Sequence, residues 1–84
     1  MNIIVNTVLG KVENIEAKLP NEFAKVAALK TAGVLEHLFV KDAAAGAVLV
    51  FKNLSLEEVK TRVSEFPLFP HFEKIEYTIA EKNF

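Results

Sequence analysis

Side chains able to do chemistry are sparse in this 84-residue chain, and their types exclude several kinds of function before any element is placed. The chain holds two histidines, His37 and His71, no cysteine, and a single arginine, Arg62. Two histidines without cysteine or a spaced set of carboxylates form no recognisable metal site, and no metal or other cofactor is expected. The lack of cysteine removes disulfides and thiolate chemistry, and it is compatible with a reducing compartment. A phosphate cradle of the acylphosphatase kind needs an arginine in a loop, whereas the helical spacing around Arg62 puts it on an outer helix face. Ten Lys+Arg against eleven Asp+Glu give a net charge of −1, with no basic stripe to neutralise a phosphate backbone, so nucleic acid is not an expected partner.

The elements that must position these residues follow from apolar spacing. In residues 2–9, Ile3, Val5, Thr7 and Leu9 alternate with Asn2, Ile4, Asn6 and Val8, a strand pattern. From Val12 the period lengthens: Val12, Ile15, Leu19, Phe23 and Val26 recur at three and four residues, with Gly33 as a natural C-terminal stop. Pro20 lies inside this stretch, which predicts a kink or a separate short turn before it and a secure helix over about 20–32. Val34 to Lys41 reads as a second strand and Ala47 to Phe51 as a third, apolar at every position. Ser55 followed by Glu58 is a capping box opening a second helix, whose buried stripe is Leu56, Val59, Val63 and Phe66. Phe66-Pro67-Leu68-Phe69-Pro70-His71-Phe72 then reads as an extended, buried connector, because its prolines fix φ near about −65° and withhold two N–H donors. Lys74 to Ala80 is the last strand, with Ile75, Tyr77 and Ile79 on one face.

The order β-α-β-β-α-β over a single domain, residues 1–84, is the ferredoxin-like α+β pattern: a four-stranded antiparallel sheet with two helices on one face. Hydrophobic residues make up 51% of the chain and the mean hydropathy is +0.25, more apolar surface than so small a domain hides alone. Since strands one and three are apolar on both sides, the helix-free face is expected to be buried by a second copy, making a homodimer. RNA-binding domains share the same element order, but their chemistry needs exposed aromatics on strands one and three, and strand one has none. No apolar run approaches the ~18 residues of a membrane helix, and Met1-Asn2-Ile3-Ile4-Val5 lacks a basic signal-peptide start. The expectation is a cytoplasmic protein with no membrane partner.

The Pro-Leu-Phe-Pro string at 67–70, Gly33, the His37-Leu38 pair, Phe51 and the capped helix together resemble the muconolactone isomerase family of dimeric α+β barrels over roughly residues 22–80. The resemblance implies paired ferredoxin-like subunits, rings of dimers in some relatives, and a cofactor-free proton shift in a small unsaturated lactone acid. Such chemistry uses a carboxylate or imidazole as the base and donors that hold the developing enolate. By this resemblance Glu22 and His37 match family positions, and Glu36 is a further candidate catalytic residue. Asn6, Phe39, Phe51 and Tyr77 are candidate ligand contacts in the barrel cavity between sheets.

Each candidate also has a plainer reading. Glu22 is a first-turn acid favoured by the helix dipole, His37 a strand residue satisfying a hydrogen bond, and Glu36 an edge charge. Tyr77 is an amphipathic core residue, and Asn6 an edge residue. The chain departs from the family at Glu36 and Val40, where basic residues are usual, and at Leu35 and Phe39, which replace tryptophans. Ala47, Val48 and Leu49 replace a polar third strand, and the His-Pro-Ser tail is missing after Lys82-Asn83-Phe84. An anionic lactone would meet the wrong charge. The expected function is a cofactor-free isomerase-like activity on a small apolar or lactone substrate. The alternative is a homo-oligomeric module that binds a small hydrophobic molecule or serves only in assembly.

Overall fold

A computed structural model describes residues 1–83. Four strands, β1 (Asn2–Leu9), β2 (Leu35–Val40), β3 (Gly46–Lys52) and β4 (Phe72–Ala80), form one antiparallel sheet in the order β2-β3-β1-β4. Helix α1 (Ile15–Thr31) joins β1 to β2 and helix α2 (Leu56–Ser64) joins β3 to β4. Each connection skips one strand, which gives the ferredoxin-like split β-α-β arrangement expected from the sequence.

The register decides which side chains face the helices. Ile3, Val5 and Thr7 of β1 pair with Ile79, Tyr77 and Ile75 of β4, and with Phe51, Leu49 and Ala47 of β3. These form the helix-covered face, where Ile3, Val5, Leu49 and Phe51 join Leu29, Leu35, Val59, Val63 and Phe66 in one core. The opposite face carries Asn2, Ile4, Asn6 and Val8 of β1 and Val48 and Val50 of β3, as strict alternation requires. A bulge in β2 interrupts that alternation. Leu35 pairs with Phe51 but His37 with Val50, so Glu36 is the extra residue, and Glu36 and His37 both turn to the helix-free face.

Several boundaries differ from the sequence expectation for identifiable reasons. Helix α1 starts at Ile15 and runs through Pro20 without a break, rather than becoming secure only at 20. Proline there forfeits one intrahelical bond, to the Glu16 carbonyl, while Ile15 and Leu19 in the turns before it gain contact with the apolar wall described below. The C-terminal stop is as expected. Gly33 (φ 77°) donates to the Lys30 carbonyl and Val34 to the Leu29 carbonyl, the paired bonds of a Schellman motif. Segment 66–72 is a folded turn, not an extended connector: the Phe69 N–H reaches the Phe66 carbonyl at 2.9 Å, and Phe69–His71 form a 3₁₀ turn. Phe66 and Leu68 are buried, but Phe69 and Pro70 are exposed at the start of the 3₁₀ turn. Helix α2 has the capping box in full, with Ser55 Oγ accepting from the Glu58 N–H and Glu58 Oε1 accepting from the Ser55 N–H.

Candidate functional site

Helix α1 does not close onto the sheet along its whole length. Of its residues only Leu29, near the C-terminal end, is buried, whereas Phe23 remains 57% exposed. Between the N-terminal half of α1 and the sheet lies a cavity of about 210 Å³. Ile15, Leu19, Phe23 and Val26 form the helix wall, Leu9, Ala47 and Leu49 the sheet wall, and Phe66, Leu68 and Phe72 one end. The mouth opens between Phe23, Leu38 and Val40, all of which keep apolar surface in contact with solvent.

Among the described residues, two polar side chains reach this space, and they differ in what they offer. Thr7 is fully buried, and its hydroxyl is spent on Ala47: it donates to the Ala47 carbonyl at 3.2 Å and accepts from the Ala47 N–H at 3.0 Å. Glu22 is half-buried on α1, and its Oε1 accepts from the Leu68 N–H at 3.0 Å. Among the described residues, Oε2 has no hydrogen-bond partner. Burial removes water from the carboxylate and raises its pKa above the ordinary glutamate value, with the Leu68 N–H partly opposing that rise. None of the residues lining the cavity is a lysine or arginine. What converges here is therefore one proton-accepting group in an apolar chamber, without a cationic clamp.

The other candidate residues are distributed elsewhere. His37 and Glu36 lie across the sheet from Glu22, in a shallow groove shared with Asn2, Ile4, Val50 and Ala80. There Glu36 Oε1 accepts from Asn2 Nδ2 at 3.1 Å and stands 3.8 Å from His37 Nε2. Phe39, on the same side, is 60% exposed, its ring 6.1 Å from that of His37. Asn6 also occupies this face, with its Oδ1 buried and without a hydrogen-bond partner among the described residues. Phe51 is a fully buried core residue. Tyr77 is on the helix-covered face beneath Lys60, whose Nζ is 5.6 Å from the ring centroid; burial raises the phenol pKa. Among the described residues no single cavity unites Glu22 with His37: the sheet separates them, His37 pairing with Val50 on the helix-free face.

The cavity walls were visible in sequence only as a core pattern. The stripe Ile15, Leu19, Phe23 and Val26 has the spacing of a packed helix face, and nothing in it announces a gap. The most specific string, by contrast, falls directly on the site: Leu68 of Pro67-Leu68-Phe69-Pro70 supplies the amide that holds Glu22.

A ferredoxin-like domain with an open chamber between its first helix and its sheet defines the architectural class. Within it, the structure is similar to that of muconolactone isomerase, with a TM-score of 0.81 at 19% identity over 99% of this chain and 92% of that one. It is also similar to 5-chloro-2-hydroxyhydroquinone dehydrochlorinase from Burkholderia phenoliruptrix, solved with 2,5-dihydroxybenzoquinone. There the TM-score is 0.70 at 14% identity, over 96% and 94% of the two chains. At these identities the likeness is one of fold. No family model and no curated protein sequence matches the chain.

Proposed function

We propose that this protein is a cofactor-free, isomerase-like enzyme that shifts a proton within a small unsaturated carbonyl compound, with Glu22 as the base. The supporting observation is the half-buried Glu22 carboxylate, fixed by the Leu68 amide and facing an otherwise apolar cavity. A carboxylate so placed removes a proton from the carbon between the carbonyl and a β,γ double bond, leaving a dienolate. The same group, now a carboxylic acid, returns that proton to the γ-carbon and yields the conjugated isomer. No oxidant, reductant or metal enters this balance, and a desolvated carboxylate is a stronger base than one in water. His37 and Glu36 act at no atom of this site.

The test uses 3-cyclohexen-1-one, followed in the ultraviolet as it becomes 2-cyclohexen-1-one. Glu22→Gln keeps the shape and an acceptor for Leu68 but abolishes the base, and should lower the rate by about 10² or more. An unchanged rate in that variant overturns the reading. A second reading, binding without turnover, draws on Glu22 being the one polar side chain of the cavity not engaged with Ala47: among the described lining residues no separate donor faces the position of a developing enolate. Absence of isomerisation by the parent protein, together with ligand binding, selects it.

The helix-free face supports self-association as part of either reading. Ile4, Val8, Val48 and Val50 form an apolar band there, and Phe39 extends it with an exposed ring. A second copy laid sheet to sheet would cover that band and could bring a donor to the orphaned Asn6 Oδ1. Sedimentation at micromolar concentration tests the dimer.

A further inference from the structure

We infer that the ligand of the α1–sheet cavity is an uncharged, ring-sized apolar molecule carrying one oxygen function, and that the site excludes carboxylates. The inference deepens the proposed proton shift and rests on the same cavity, but not on turnover. Three observations carry it. The first is charge: among the described residues the only ionisable side chain lining the space is the acid Glu22, and no lysine or arginine joins it. Lys41, which follows the rim residue Val40, is tied to the main chain, its Nζ donating to the Thr7 carbonyl at 2.9 Å. An anionic ligand would lose its hydration, find no cation, and meet a second negative charge.

The second is polar capacity. Thr7 is the other polar side chain at the wall, and both functions of its hydroxyl are taken up by Ala47. One free carboxyl oxygen on Glu22 is what remains, accepting from a ligand hydroxyl when ionised and donating to a ligand carbonyl only when protonated, so a molecule with several hydroxyl or amide groups would leave most of them unpaired. The third is size. An apolar cavity of about 150 Å³ takes a benzene-sized guest, so the 210 Å³ here fits a substituted ring of about eight to ten non-hydrogen atoms. The apolar rim of Phe23, Leu38 and Val40 lets such a ring enter without crossing a polar girdle.

Calorimetric titration with a shape-matched pair, 4-methylcyclohexanone and 4-methylcyclohexanecarboxylate, tests this at neutral pH. The ketone should bind at least about tenfold more tightly than the carboxylate, and Glu22→Gln should narrow that ratio to within about threefold by removing the like charge. Leu38→Trp, at the solvent-facing mouth, should abolish ketone binding while far-ultraviolet circular dichroism and thermal midpoint stay as in the parent. Equal or tighter binding of the carboxylate overturns the inference, as does full ketone binding by a folded Leu38→Trp protein. The two readings fail separately. Ketone binding without isomerisation of 3-cyclohexen-1-one sinks the catalytic proposal alone. A carboxylate preference alongside Glu22-dependent isomerisation sinks the ligand class alone.

Discussion

Glu22 has two environments at once, an amide donor on Oε1 and an apolar chamber beyond, and its protonation links stability to the proposed activity. Its folded-state pKa lies above the ordinary value, so burial penalises the ionised form. The stability associated with neutral Glu22 is therefore complete below the ordinary glutamate pKa and is lost as pH rises through the raised folded value. Urea midpoints of the parent minus those of Glu22→Gln should decline across that window, because other carboxylates are common to both proteins. The activity should move the opposite way. A base must be ionised, so the isomerisation rate should climb with pH through an inflection above the usual glutamate range, and that inflection should be missing in Glu22→Gln. The proposed role of Glu22 is suggested in the sequence only by the family resemblance that includes the Pro-Leu-Phe-Pro string. Its position in the first half of a helix reads equally well as a dipole-favoured acid. The Leu68 N–H that holds the carboxylate against the cavity lies 46 residues away along the chain.

At the scale of elements, local chemistry was read with success where it is local in fact. The capping box at Ser55 and Glu58 forms within four residues, and Ser55→Ala should cost about 1 kcal/mol in chemical denaturation. The stripe of α2 is likewise real: Val59 and Val63 have no exposed surface and Phe66 retains 3%, so truncating Val63 or Phe66 to Ala should cost about 1 to 4 kcal/mol. Gly46 is another matter. It sits at φ 150°, and a Cβ there would come within 2.1 Å of the Thr7 carbonyl oxygen, so Gly46→Ala should lower the thermal midpoint and disturb the strand that supports Ala47. Nothing in the sequence around Gly46 reports this, since the obstructing atom belongs to β1. The β2 bulge is equally hidden, and it moves Glu36 onto the face of His37, where plain alternation would place it opposite.

At the scale of the molecule, two apolar surfaces stand out among the described residues: the chamber under α1 and the helix-free sheet. The second should be self-complementary. Val50→Lys, at the middle of that face between Ile4 and His37 in register, should shift the sedimenting species from dimer to monomer while leaving the circular dichroism unchanged. A monomeric parent would remove the proposed sheet-to-sheet contact without touching the α1 cavity.

No helix among the described residues is long and apolar enough to cross a membrane. The sequence by itself determined the element order, the helix-facing alternation of β1 and β4, the stop at Gly33 and the excess of apolar surface. Those properties depend on residues a few positions apart. Tertiary structure alone decided that α1 stands off the sheet, that Leu68 reaches Glu22, and that the sheet divides Glu22 from His37. Each of these depends on the relative placement of surfaces distant in sequence, and an apolar stripe has the same spacing whether it closes a core or lines a cavity.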